Sequence, residues 1–322
     1  MGTNGKKSMN VKAKYGALAT VALVLIAGFQ YLAMLELPQY HDVMKYLYFI
    51  PIILAAYFLG WKGGILCALV ASFISSLHLI LHSSVFYLEY LLQSLMFALG
   101  GGLLGLLSDR DRQKRLIIEQ SKIDFLKALS RSLDARDTYT EGHSNRVAAI
   151  AGEIGKNAGL TNDEVNNVYE AGLMHDIGKI GIPDSILRKE GTLDLHEFEI
   201  IKSHTVIGGE ILSYVELLRQ LVPAIRHHHE RYDGSGYPDQ LVGEEIPPVA
   251  RILSIADAFD AMTSQRTYNR RKSFEDAVKE IEKKAGTQFD PRFVDSLRKS
   301  FNKLKNIALE NTSIDVECKP VR

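Results

Sequence analysis

The chain has 322 residues, 46% of them hydrophobic and 24% charged, and its 38 basic and 38 acidic side chains cancel to a formal net charge of zero. That balance leaves no strongly basic face for a nucleic-acid polymer, and the two cysteines, Cys67 in an apolar run and Cys318 in the polar tail, make no disulfide framework. Charge is unevenly spread: residues 1–108 hold six lysines, three acids and no arginine, so an apolar piece precedes a charge-rich one of soluble-domain composition.

Residues 1–15 form a short N-terminal segment, and residues 16–107 read as a membrane module. Gly16 to Leu37 is a run of about 21 mostly apolar residues, long enough at 1.5 Å per residue to cross roughly 30 Å of hydrocarbon. It lacks the small-residue cleavage site of a removable signal. Tyr46 to Leu59, interrupted by Pro51, then Gly63 to Leu81 and Val85 to Leu107 are predicted as the second, third and fourth spans. Lys6, Lys7, Lys12 and Lys14 before the first span, and Arg110, Arg112, Lys114 and Arg115 after the last, put both flanks on the cytoplasmic side. Glu89 and His78 each have two readings: a ligand or proton site at membrane depth, or an interfacial acid and a polar contact inside the bundle. Tyr48-Phe49-Ile50-Pro51, followed by Leu59-Gly60-Trp61-Lys62-Gly63-Gly64, resembles the compact four-span sensor modules found ahead of bacterial signalling outputs. The resemblance implies an input module in the bilayer and names no input.

Residues 108–136 are predicted as a helical connector, with Leu116, Ile123, Leu126, Leu129 and Leu133 spaced as one apolar stripe. Two partners suit such a stripe: its equivalent in a homodimer, or the chain's own following domain.

Seven of the ten histidines follow residue 140. Six of them fall in four short clusters: Glu141-Gly142-His143-Ser144-Asn145-Arg146; His175-Asp176-Ile177-Gly178-Lys179; Lys202-Ser203-His204; and His227-His228-His229-Glu230-Arg231-Tyr232-Asp233-Gly234-Ser235-Gly236-Tyr237-Pro238. Asp257 and Asp260 add acid within an apolar run. Thr161-Asn162-Asp163-Glu164 is a capping-box pattern, so a helix is predicted to end at His175-Asp176. His143 opens another helix, and His204 lies in a helical stretch with Ile200, Ile201, Ile207 and Ile211 on one face. Any one of these histidines reads as a buried ring bonded to backbone. Several imidazoles and acids embedded in core-forming helices cost several kcal/mol together unless a strong partner compensates. Neutral imidazoles with carboxylates and no thiolate suit iron, manganese or zinc, and Asp176, with two oxygens, is the natural bridge between two ions.

His175-Asp176 with Lys179, combined with the ungapped run from His228 to Pro238, resembles the HD-GYP output domain of bacterial signalling proteins, a subgroup of the HD metallophosphohydrolases. The resemblance, which runs from about Leu126 to Phe301, implies an all-helical catalytic domain over residues 137–303; with the predicted transmembrane helical bundle before it and a tail over 304–322 after it, the chain is expected to be all-α. The resemblance also implies a two-metal phosphodiesterase on the cytoplasmic side of the bacterial inner membrane that opens cyclic di-GMP to pGpG, with onward cleavage to GMP left open. Carried over position by position, the metal ligands are His143, His175, Asp176, His204, His228, His229 and Asp257, most suited to iron or manganese. Lys179 lies beside the scissile phosphate, Arg266 holds a phosphate oxygen, and the loop of Gly236-Tyr237-Pro238 shapes the site and, in relatives, is linked to contacts with diguanylate cyclase domains. Two positions depart from the pattern. Tyr139 stands where relatives with three metals carry glutamate, which favours two ions, and Asn269 stands where many carry a basic residue.

The expected reaction is in-line attack on phosphorus by a hydroxide shared between the two ions, with Lys179 and Arg266 stabilising the charge that grows on the phosphoryl oxygens. Asp260 is placed to orient a ligand by hydrogen bonding; His227 is expected to point away, and His196 to be exposed. Tyr232 and Tyr237 read either as base-stacking or as loop-packing aromatics. Two other functions fit the residues: hydrolysis of another cyclic dinucleotide such as cyclic GMP-AMP, or a non-catalytic receptor or scaffold for cyclic di-GMP or a cyclase partner. Near the C-terminus, Ser273 is predicted to cap a helix ending near Gly286, and Asp290-Pro291 to start another running to about Asn302.

Overall fold

The computed structural model describes residues 3–36, 45–82, 87–136, 142–264 and 272–314, which divide into two compact units, Met1–Gln120 and Ser121–Arg322. Among the described residues every regular element is helical, as expected for an all-α chain; one isolated bridge joins Ala285 to Phe289.

The first unit contains α1 (Thr3–Glu36), a 3-10 turn at Lys45–Tyr48, α2 (Phe49–His82) and the first part of α3 (Tyr87–Asp134). α2 is interrupted at Gly60, whose φ of 78° and ψ of −166° lie where a side chain is disfavoured. A Cβ built on Gly64 would stand 2.9 Å from the Cβ of Ala56, whereas residues eight apart in a straight helix are about 12 Å from each other. The chain therefore folds back at Gly60, and the predicted second and third spans are the two arms of α2. The fold-back is closed by polar groups of α3: Asp109 accepts from the Trp61 amide at 3.1 Å, while Ser108 and Arg112 donate to the Tyr57 carbonyl at 2.8 and 2.9 Å. Small residues line the interior, with Ala19, Ala55, Ala68 and Ala71 around Ile52 and Phe97.

Two stretches, Lys45–Ser76 and Leu88–Asp134, are long and apolar enough to cross a membrane by length and composition, and Ala13–Phe29 is a shorter apolar helix. Much of their apolar surface is exposed, Leu25, Leu66, Leu91 and Leu99 among it. Glu89 is paired with the buried Lys45 at 2.5 Å; the side chain of His78 lies outside the described residues.

Along α3 the apolar stripe divides. Leu126 enters the core, Leu129 packs against that core and Leu133 is buried, but Leu116 is exposed, as are Ile117, Ile118 and Phe125. The C-terminal half of the stripe thus finds its partner in its own domain. α4 (His143–Asn157) and α5 (Asn162–Met174) pack as a pair, and α10 (Pro248–Thr263) and α12 (Pro291–Ile314) lie against α4. Between α5 and α10 the chain forms a 3-10 turn at Ile177–Gly181, α6 (Asp184–Leu187), α7 (Leu195–Lys202), α8 (His204–Ser213), a 3-10 turn at Glu216–Leu221 and α9 (Val222–His227). α11 (Phe274–Lys283) starts at the predicted Ser273 cap, whose hydroxyl accepts from the Asp276 amide at 3.0 Å.

Two predicted boundaries shift. The helical stretch around His204 is two helices that meet at Ser203, whose hydroxyl donates to the Ile200 carbonyl at 2.6 Å. The tail predicted from residue 304 is helical to Ile314 and its Leu304 is in the core, because the apolar spacing of Leu297, Phe301 and Leu304 carries the stripe onward.

Candidate metal centre

Local structure delivers each polar cluster to one place. Gly142, at φ 69°, turns the chain so that His143 is the first residue of α4. The capping box of α5 forms as its sequence predicts, with Glu164 accepting from the Thr161 amide at 2.8 Å and Thr161 accepting from the Glu164 amide at 3.3 Å. That helix ends with His175 at its C-cap and Asp176 immediately beyond. His204 begins α8, His228 and His229 follow α9, and Asp257 projects from α10.

The side chains converge in two groups, His143, His175 and Asp257 in one and His204, His228 and His229 in the other, each offering ligand atoms within 4.8 Å of one another. Asp176 lies between them: its Oδ2 is 3.4 Å from His175 Nε2 and its Oδ1 3.6 Å from His204 Nε2. His143 Nε2 stands 3.3 Å from Asp257 Oδ1, and the Nε2 atoms of His204 and His228 are 3.4 Å apart. Ligand atoms bound to one ion at about 2.1 Å with tetrahedral angles are about 3.4 Å apart. The donor set and its spacing therefore fit two divalent ions.

The rings are also held as ligating rings require. His175, His204 and His228 place Nδ1 against the carbonyls of Gly172, Ile201 and Ile225 at 2.8, 2.6 and 2.7 Å, which turns Nε2 inward. His143 is oriented by Asp260, at 2.7 Å from its Nδ1, and Asp260 is in turn gripped by Arg146 at 2.8 Å. Arg146 closes the His143 cluster in the sequence, one helical turn on, and the structure gives it a supporting role that its residue type alone did not.

The electrostatics are those of a cation site. Burial and the neighbouring rings hold His228 well below the ordinary histidine range, burial pushes His229 down to about 4, and burial lowers His204. These imidazoles are neutral and have a lone pair to donate. Burial opposes the charge of Asp176, yet Lys179, His175 and His204 keep its carboxyl well below the usual carboxylate range. Burial likewise opposes the charge of Asp257, which the hydrogen bond and charge of His143 overcome. His143 is the exception among the rings: against burial, bonds to Asp257 and Asp260 raise it to about 10. Without a metal, a proton on His143 would balance the charge of the buried Asp260 and the partly buried Asp257.

Lys179 reaches Asp176 Oδ2 at 2.8 Å and is partly exposed. The Tyr237 ring lies 5.0 Å from that of His229, with the ammonium of Lys202, from the Lys202-Ser203-His204 cluster, 5.5 Å from its centre. A Cβ on Gly236 would stand 2.5 Å from the Glu230 Cα, so this loop closes only over a bare backbone. His227 turns away, as expected, with its two ring nitrogens at 2.8 Å from the Pro223 carbonyl and from Asp239. His196 is exposed. Arg266, Tyr139, Asn269, Arg270 and Arg271 lie outside the described residues.

The chain is 41% identical over 192 residues to the cyclic di-GMP phosphodiesterase response regulator RpfG of Xanthomonas campestris pv. campestris, which covers 59% of the chain and 51% of that protein. It is 42% identical over 183 residues to a cyclic di-GMP phosphodiesterase of Thermotoga maritima, covering 56% and 50%. A third relative, 3'3'-cGAMP-specific phosphodiesterase 2 of Vibrio cholerae, is 36% identical over 182 residues, covering 56% and 35%. The chain thus spans about half the length of the first two relatives and about a third of the other. Residues 127–293 match the family described as HD domain, and because that match takes in more than half the chain and all seven residues that converge on the two groups, the chain belongs to the HD domain family.

Proposed function

We propose that this chain is a membrane-anchored, HD-GYP-type phosphodiesterase that hydrolyses cyclic di-GMP to pGpG. The observation that carries the reading is the pair of three-residue donor groups with one oxygen of Asp176 facing each. His143, His175 and Asp257 would hold one divalent ion, His204, His228 and His229 the other, and Asp176 would serve both; iron and manganese suit these donors. Two such ions supply Lewis acidity, an activated water and charge neutralisation at a phosphodiester.

The chain's own residues do the rest. Lys179, held against Asp176 and partly exposed, presents a cation to a phosphoryl oxygen as negative charge develops there. Arg266 is the second cation in this reading. The Tyr237 ring offers a flat face to a base, and burial pushes its hydroxyl up, keeping it un-ionised. The relatives' names support a cyclic dinucleotide as substrate. A second reading, hydrolysis of 3'3'-cGAMP, draws support from the relative named as specific for it.

The outward apolar surface of the first unit supports insertion in a bilayer as four spans, with α2 supplying two of them, as in the bacterial inner membrane. Asp109 and Arg112, which close the Gly60 turn, lie beside the basic residues that favour the cytoplasmic side. The exposed Leu116, Ile117, Ile118 and Phe125 supply a seam for a homodimer, and the Gly236-Tyr237-Pro238 loop a contact for a diguanylate cyclase domain.

The test is turnover by the purified full chain, loaded with manganese or ferrous iron under reducing conditions. Cyclic di-GMP is expected to give pGpG faster than 3'3'-cGAMP is opened, and Asp176→Ala is expected to reduce both to background. Turnover that survives Asp176→Ala intact rejects the assignment; a preference for 3'3'-cGAMP selects the second reading.

A further inference from the structure

The last turn of α3 holds the segment that carries Lys179. Arg136 follows the helix end, its amide still donating to the Leu133 carbonyl at 2.9 Å, so it rides on α3 although it lies beyond Asp134. Its guanidinium makes four bonds to one short segment. Nε donates to Asp184 Oδ1 at 2.8 Å, one terminal nitrogen donates to the carbonyls of Lys179 at 3.2 Å and Ile180 at 2.9 Å, and the other donates to the Ile182 carbonyl at 2.9 Å. The Arg136 carbonyl accepts from Arg188 Nε at 2.8 Å, which ties the far end of the same segment to the helix. The segment also rests on α8, where Gly178 lies against the backbone of His204 and Gly208. Two residues earlier in α3, Asp134 Oδ1 accepts from the Ser144 hydroxyl at 3.0 Å, beside His143. The end of α3 therefore touches both the turn bearing Lys179 and the start of the helix bearing His143.

The geometry points to Arg136 as a positioning residue that fixes the backbone of Ile177–Ile182 and thereby the Lys179 ammonium against Asp176. A planar fork with five donors can satisfy several carbonyls at once, whereas a lysine ammonium cannot span them. The Lys179 carbonyl is itself one of the acceptors, so Arg136 constrains the very residue whose side chain is 2.8 Å from Asp176. Misplacing a reacting or charge-stabilising group by about 1 Å costs on the order of a hundredfold in rate. Arg136 thus sits where α3, which begins in the first unit, ends in the second. This inference rests on the proposed role of Lys179.

The experiment is a double-mutant cycle on the full chain in detergent, loaded with manganese and assayed with cyclic di-GMP. Arg136→Ala is expected to lower kcat by roughly tenfold to a hundredfold with KM within about threefold. Bound manganese per chain is expected to be unchanged, and peptides covering 177–182 to exchange deuterium faster than in the parent chain. Adding Arg136→Ala to Lys179→Ala is expected to cost less than about twofold more, since residues acting through one group are not additive. A purely structural role would instead make the two losses multiply. Arg136→Lys, which keeps the charge beside Asp184 but not the fork, is expected to lower kcat as the alanine does and serves if the alanine variant does not fold.

Unchanged kcat in both Arg136 variants, multiplying losses, or lost manganese overturns the proposal. Parent-like turnover by Lys179→Ala would overturn the role of Lys179 itself. Slow Lys179→Ala with normal Arg136→Ala would overturn only the positioning role.

Discussion

His143 and Asp260 are 117 residues apart in sequence and 2.7 Å apart in space, and this contact decides which nitrogen of the ring faces the site. Carboxylates that orient a ligating imidazole typically contribute tenfold to a hundredfold in metal affinity. Asp260→Asn is therefore expected to weaken manganese binding by about that factor, measured by equilibrium dialysis, with less effect on the group of His204, His228 and His229; affinity equal to the parent's would refute the orienting role. The same residues set a pH dependence. At pH 7 His229, near 4, is neutral, and His204 and His228 are lowered in the same direction, whereas His143, near 10, holds a proton that a metal must expel. Metal binding should thus release about one proton per chain near neutrality and tighten by about tenfold per pH unit as pH rises from 6.5 towards 10. Titration calorimetry in buffers of differing ionisation enthalpy measures the release, and its absence would contradict the assignment of that proton.

At the scale of elements, α3 shows one helix serving two environments. Leu126 is fully buried in the core of the second unit, while Leu116, about three turns earlier, is exposed. Leu126→Ala is expected to cost about 2–5 kcal/mol of stability and Leu116→Ala about 0.5 kcal/mol or less, measured by thermal melting of the two variants side by side. Equal melting temperatures would show that the packing of α3 is misassigned. The apolar stripe was legible in the sequence because helical periodicity is local. Its division was not, since identical leucine spacing says nothing of where the partner surface begins. Ser203 is a similar case: the apolar face of Ile200, Ile201, Ile207 and Ile211 runs through it, and only the serine's own bond to the Ile200 carbonyl marks the break.

For the whole molecule, metal binding and folding would be linked, because the seven candidate ligands come from elements spread over the second unit. A ligand present at about a thousand times its dissociation constant stabilises the folded state by about 4 kcal/mol. Manganese is expected to raise the melting temperature of the chelator-stripped chain by several degrees, and an unchanged melting temperature would argue against a site built across these helices. The full chain is expected to stay with membranes after an alkaline carbonate wash; its release into the supernatant would reject insertion of the first unit.

The sequence by itself determined the apolar and charged halves, the capped helices, and the identity of the imidazoles and acids, for each of these is written within a few consecutive residues. Backbone hydrogen bonding and side-chain periodicity act over that range. Asp176 as a bridge, Asp260 as an orienting group and a turn at Gly60 were also legible, from residue type and local sequence. The tertiary structure alone decided which ring Asp260 steadies, that Arg146 grips Asp260, and that Arg136 holds the segment of Lys179. These contacts join residues far apart along the chain. They exist only once several helices have packed together, and that joint condition is not written in any one stretch of the sequence.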